Sequence, residues 1–265
     1  MTKAAAPARG PRPFSSDSLA ASGEREETQG MIALALLTLT LPSAQEPGAW
    51  PTAEPERVGI SRTQLEAALA EWSRRTGPDG VKRTAVVRRG RLTHAGPESR
   101  KPNGLYSTTK SFTSTCLGLL IEDGVVSLDT KAAEIDPRLR RFYPDATLRH
   151  FATMTSGYSA VGRSRWEDEN SDWSFTPYDP AEPFFPPGTA YAYWDEAQMT
   201  LGRLLTVAGG RDLLELIDGR VLSPIGCTTP SWLTEGEVDG VPIRNGCTWL
   251  SLSAEDLARY GQLFM

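Results

Sequence analysis

Leu105-Tyr106-Ser107-Thr108-Thr109-Lys110-Ser111-Phe112-Thr113-Ser114-Thr115-Cys116-Leu117-Gly118-Leu119-Leu120-Ile121-Glu122-Asp123-Gly124 is the stretch on which the reading of this chain turns. From Ser107 the spacing predicts a helix. Phe112, Cys116, Leu117, Leu119, Leu120 and Ile121 form a broad apolar surface, and Asp123-Gly124 ends it. A helix apolar over that much of its circumference belongs in the middle of a core. Ser107 opens the helix and Lys110 follows three residues on, so the amine lies beside the hydroxyl on one face. The helix N-terminus also points N–H groups and its positive dipole end toward that hydroxyl, where an oxyanion would develop.

The four-residue pattern S-x-x-K is weak on its own. With 21 serines and 5 lysines in 265 residues, chance alone supplies about 0.4 instances. A capping serine and a surface lysine are the plain alternative. A lysine that takes a proton must be neutral, and at the ordinary pKa of about 10.4 only about one in 2,500 is neutral at pH 7. A pKa lower by ~3, worth about 4 kcal/mol, is required, from burial or a neighbouring cation. A phosphate-binding loop is a rival reading of Gly104–Ser111. It fails because Thr109 stands where the second glycine must let backbone approach phosphate, and no apolar strand precedes it.

Outward from this helix, Ser61–Arg75 reads as an amphipathic helix with Ser61 as cap and Leu65, Leu69 and Trp72 on one face. Residues 84–94 read as a β-hairpin turning at a glycine. Leu148–Thr155 is a short helix ending at Ser156-Gly157. Residues 158–188, with Trp166 and Trp173, form a long excursion without period. Helices follow over about Glu196–Val207 and Asp212–Leu222. Ser253-Ala254-Glu255-Asp256 resembles a capping box, opening a last helix with Leu257, Tyr260 and Phe264 inward.

Composition narrows the function classes. Hydrophobic residues make up 39% and charged residues 23%, and the net charge is −5. That balance makes no electrostatic case for nucleic acid or an anionic membrane surface. The two histidines, His94 and His150, have no metal-ligand spacing, so no metal and no cofactor is expected. Cys116 reads as core; Cys227 and Cys247 either pair in an oxidising compartment or remain separate buried thiols. Residues 1–30 read as a disordered leader. Residues 31–45, an apolar run ending in small residues, read as a secretory signal too short to span a bilayer, with a short buried helix as the alternative. That reading places the start at Met31 rather than Met1, and residues 46–265 are the folded domain, with 126–214 its mainly helical and loop lobe.

Three further segments join the first. Leu119–Asp129 continues the Ser107 stretch, Phe151-Ala-Thr-Met-Thr-Ser-Gly157 is similar to an L-L-T-M-T-S-G segment, and Pro187–Asp195 is similar to a P-G-x-x-x-x-Y-S-N box. Together these resemble the class C β-lactamase-like, penicillin-binding-protein-like serine hydrolases, over about residues 56 to 265. That group includes D-Ala-D-Ala peptidases, esterases and nylon-oligomer hydrolases. The resemblance implies a β-lactamase/transpeptidase-like α/β (α+β) fold: an antiparallel sheet flanked by helices, plus a mainly helical lobe, with Ser107 between them. It also implies Ser107 as acylated nucleophile, Lys110 as proton acceptor and Tyr193 as the acid/base that relays the proton. Asp195 and Trp194 would line the substrate, a small ester, amide or peptide.

Two departures qualify that transfer. Asp195 stands where the group usually has Asn. An amide donates to a substrate carbonyl and an ionised carboxylate does not; its charge also favours the lysine ammonium. So Asp195 points away, or the substrate donates to it, or activity is reduced. The second departure is the third box, a K-T-G or H-x-G strand, which is expected after the Asp256–Phe264 helix and does not follow. The expectation is a C-terminally truncated chain lacking the returning strands, with a non-catalytic remnant or binding module as the alternative function. A Ser-His-Asp hydrolase using Ser159 and His150 is a weaker rival, because Gly157–Val161 misses G-x-S-x-G at its last position.

Overall fold

The computed structural model describes residues 49–162 and 176–265. The leader, the signal-like stretch 31–45 and both Trp166 and Trp173 lie outside the described residues. Ser61 accepts a hydrogen bond from the Gln64 amide and opens α1, Arg62–Thr76. Leu65 and Leu69 are only half-buried and Trp72 is exposed, so the apolar face expected of α1 is largely uncovered by the described residues. A short α2 (Pro78–Lys82) leads to the hairpin of β1 (Ala85–Arg88) and β2 (Arg91–Ala95). Arg89 and Gly90 at its tip both take positive φ, 52° and 68°. That left-handed pair is what a two-residue turn needs to match the twist of the strands.

A two-residue strand β3 (Asn103–Gly104) precedes a 3₁₀ turn over Tyr106–Thr108, and only then does α3 (Thr109–Glu122) begin. Ser107 therefore sits in a tight turn before the helix rather than in its first turn. Tyr106, at φ 47°, bends the chain out of β3 at that point. Downstream come α4 (Ala132–Ile135), α5 (Leu148–Ala152), α6 (Asp195–Gly209) and α7 (Leu213–Ile217). The buried face of α3, made of Phe112, Cys116, Leu117 and Leu120, packs against α6 and α7 through Leu201, Leu204, Leu205, Leu213, Leu216 and Ile217. This is the central position its apolar circumference predicts. Between residues 126 and 214 the described elements are helices, joined by isolated bridges such as Lys131–Thr147.

The remaining strands are β4 (Ser231–Trp232), β5 (Thr234–Val238), β6 (Val241–Arg244) and β7 (Leu250–Leu252), followed by α8 (Ala254–Gln262). The antiparallel sheet is thus three small antiparallel sheets: β1–β2, β3–β7–β4 and β5–β6. Ser253 caps α8 by accepting from the Asp256 amide at 3.1 Å. Tyr260 is buried as expected, stacked on Phe112 at 3.9 Å. Phe264 is not inward. It lies beyond the last residue of α8, 70% exposed, with its ring edge-on to Tyr260.

Candidate active site

Three elements meet at Ser107. The turn ahead of α3 carries the serine, α3 carries Lys110 one turn on, and the segment entering α6 carries Tyr193 and Asp195. Lys110 Nζ donates to Ser107 Oγ at 3.1 Å, and the Tyr193 hydroxyl donates to the same oxygen at 2.7 Å. Lys110 Nζ also lies 4.9 Å from the centre of the Tyr193 ring. So the structure brings together three of the residues expected at the site.

Asp195 joins them, on the inner side. Its carboxylate does not point away: Oδ1 is 2.8 Å from Lys110 Nζ. Oδ1 is buried and no donor among the described residues meets it at hydrogen-bonding angles, so the contact is a charge pair. As the first residue of α6, Asp195 also sits where the helix dipole favours a negative charge. Burial of Lys110 works to lower its pKa, but the Asp195 carboxylate and the Tyr193 hydroxyl outweigh it and hold the ammonium above its ordinary range. This is the direction opposite to the one a lysine base requires.

Trp194 is not brought to the site. It is 8% exposed and packs edge-on against Phe184, with ring centres 5.1 Å apart, in the main core. Strand-like backbone before α6 alternates Tyr193 outward and Trp194 inward. Trp194 therefore packs this segment onto the core. The rival serine and histidine are not brought together either. Ser159 is buried and its amide bonds the Tyr143 hydroxyl, while His150 Nδ1 accepts from the Thr147 amide as half of the α5 capping box.

One component escaped the sequence reading. The carbonyl of Cys247 accepts from Lys110 Nζ at 3.2 Å. It is delivered by the loop 245–249 between β6 and β7, which is fastened from several sides. The buried Asn245 side chain accepts from the Cys247 and Thr248 amides at 2.9 and 3.0 Å, and Thr113 of α3 donates to the Gly246 carbonyl at 2.8 Å. Gly246 is pressed onto α6, where a Cβ would stand 2.1 Å from the Gln198 carbonyl oxygen. A Cβ on Gly202 of α6 would likewise stand 2.7 Å from the Arg244 carbonyl oxygen. Only glycines permit this approach. The Asp239-Gly240 pair, at φ 50° and 77°, was the readable signal for the β5–β6 hairpin that leads into this loop.

The cysteines are separate thiols. Cys116, Cys227 and Cys247 are all free and buried. Burial, reinforced by Asp195, pushes the Cys247 thiol up to about 12, so the thiol favours its neutral, unreactive form near Lys110. Among the described residues no group of three or more His, Cys, Asp or Glu is arranged to hold a metal, and no helix is long and apolar enough to cross a membrane.

A helical core bearing a serine-lysine-tyrosine cluster beside small antiparallel sheets is the architecture of the β-lactamase/transpeptidase-like fold. The Beta-lactamase family model matches residues 82–261, and the chain belongs to that family. Solved structures agree on the fold. A protein described as a 6-aminohexanoate-dimer hydrolase, from Bacillus anthracis, is 22% identical with a TM-score of 0.58, covering 82% of this chain and 62% of its own. A D-alanine carboxypeptidase from Burkholderia cenocepacia is 20% identical with a TM-score of 0.54, over 76% of this chain and 64% of its own. An octameric penicillin-binding protein homologue from Pyrococcus abyssi is 19% identical with a TM-score of 0.58, over 77% and 56%. The chain thus spans less than two thirds of the length of each. No curated protein sequence matches it.

Proposed function

We propose that this chain carries a serine acyl-transfer site, with Ser107 as nucleophile, acting on a small ester or amide rather than on β-lactams. The observation that carries the reading is the double engagement of Ser107 Oγ by Lys110 Nζ at 3.1 Å and the Tyr193 hydroxyl at 2.7 Å. Both groups are within range for direct proton transfer. In the forward step Ser107 Oγ bonds to the acyl carbon and its proton passes to Lys110. Tyr193 relays a proton to the leaving group as the bond from carbon to that group breaks. Water then repeats the sequence on the Ser107 ester, with Tyr193 and Lys110 withdrawing its proton. The dipole at the start of α3 favours the negative charge that builds on the acyl oxygen.

The neighbours' names support an amide or peptide class of substrate, since they include a dimer hydrolase and a carboxypeptidase. Asp195 argues against substrates that offer a carbonyl at that position, as many acylamino β-lactams do. Export by way of residues 31–45 belongs to the same proposal, as do a folded domain over 46–265 and a lobe over 126–214. A fluorescent phosphonate tests the core claim: labelling is expected in the unaltered protein and lost in Ser107→Ala. Labelling that persists in that variant removes Ser107 as nucleophile.

One observation favours a second reading, a non-catalytic module that keeps the fold. The charge pair from Asp195 to Lys110 keeps the proposed base protonated. That reading expects no labelling at all.

A further inference from the structure

The same charge pair that disfavours catalysis also specifies what would relieve it. Asp195 Oδ1 is buried against Lys110, yet the side chain as a whole keeps 23% of its surface. The carboxylate therefore presents one oxygen inward and leaves the other on the side chain's exposed surface. Oδ1 and Ser107 Oγ lie 2.8 and 3.1 Å from the same Lys110 nitrogen. They are at most about 6 Å apart, the span of a short acyl chain. A carbonyl placed there meets only an acceptor and is repelled; an N–H finds a partner; an ammonium finds a counter-ion. Among the described residues, Asp195 faces Lys110 from α3 and the Cys247 thiol from the loop before β7, and the Tyr193 ring lies 4.9 Å from the same Lys110 nitrogen. The only cation among them is Lys110. Tyr193, whose hydroxyl bonds Ser107 Oγ at 2.7 Å, leaves half of its surface exposed, and the face of an aromatic ring attracts a cation.

We propose that Asp195 makes this a site for short acyl donors bearing a primary ammonium group, aminoacyl esters and amides, and that the bound ammonium itself frees Lys110 to act as base. The proposal rests on the reading of Ser107 as nucleophile. When the substrate ammonium reaches the outer oxygen of Asp195, it takes over as counter-ion and adds a second cation near Lys110. Both effects favour loss of the Lys110 proton to water. The neutral amine then accepts the Ser107 proton as the Oγ–carbon bond forms, and that proton leaves with the departing alkoxide or amine. A neutral substrate binds without displacing the pair and finds Lys110 still protonated. Selectivity and activation are then one event.

The test compares p-nitrophenyl 3-aminopropionate with p-nitrophenyl propionate, each normalised to its alkaline hydrolysis rate. In the unaltered protein the aminoacyl ester is expected to be favoured about tenfold in kcat/KM, with its acid limb at lower pH than that of the propionate. In Asp195→Asn the preference is expected to fall to near unity and the two acid limbs to coincide. If turnover is slow, the same ranking is read from how strongly each ester protects Ser107 against the phosphonate. Equal treatment of the two esters by the unaltered protein, or a preference that survives in Asp195→Asn, overturns the proposal while Ser107 labelling stands. Absence of labelling at Ser107 fails the underlying reading first, and the proposal with it.

Discussion

Lys110 is the residue on which the proposed chemistry balances. Its amine touches the Ser107 hydroxyl, the Cys247 carbonyl and the Asp195 carboxylate, and the last of these decides its protonation. Because its pKa is raised, the fraction able to accept a proton falls as pH falls through the neutral range. Replacing Asp195 with Asn removes the anion, so Lys110 should lose its proton at lower pH. The expected outcome is a faster reaction with a neutral ester and an acid limb moved to lower pH, read from a kcat/KM profile. Tyr106 offers a second residue-scale test. A non-glycine residue at φ 47° stores about 1–2 kcal/mol. Asn tolerates that conformation better, so Tyr106→Asn should raise Tm slightly while slowing phosphonate labelling of the neighbouring serine.

At the scale of elements, α3 was the most legible feature, because a long apolar run with a clear stop has one physical solution. The hairpin read at 84–94 and the capped α1 and α8 were legible for similar local reasons. Ser107, Lys110 and Tyr193 were reached through the ordered segments that surround them, not through spacing alone. What stayed hidden was the loop 245–249: its function rests on a backbone carbonyl and on glycines that allow close approach, and neither has a side-chain pattern to read. Trp194 was misplaced because residue type says nothing about which side of an extended segment it occupies. Two predictions follow the packing. Leu120→Ala, in the fully buried face of α3, should cost about 2–5 kcal/mol in denaturant unfolding. Gly246→Ala pits a methyl group against backbone of α6, so the loop must shift. It should lower stability by about 1–3 kcal/mol and slow Ser107 labelling, because the Cys247 carbonyl moves with it.

For the whole molecule, buried acids tie distant segments together. Asp136 bonds Arg138 at its own turn and Arg203 of α6, and Glu255 receives Ser99 at 2.7 Å while its backbone carbonyl receives Trp50. Burial raises the Asp136 pKa, but the arginines overcome it and hold the carboxyl below the ordinary range. Its stabilising effect is therefore present above the unfolded pKa and lost as pH falls through the folded one. Asp136→Asn should remove that part of the acid-induced loss in a series of unfolding curves at falling pH. The central strand β7 has a consequence of another kind. Leu105 donates to Leu250, and Lys110 reaches Cys247 across 137 residues of chain. The site is thus closed by some of the most sequence-distant contacts in the fold, which form slowly because long loops must close first. On refolding, helical signal should return before the ability to react with the phosphonate, and on the ribosome the proposed nucleophile, Ser107, should stay unarmed until the segment around residue 250 has emerged.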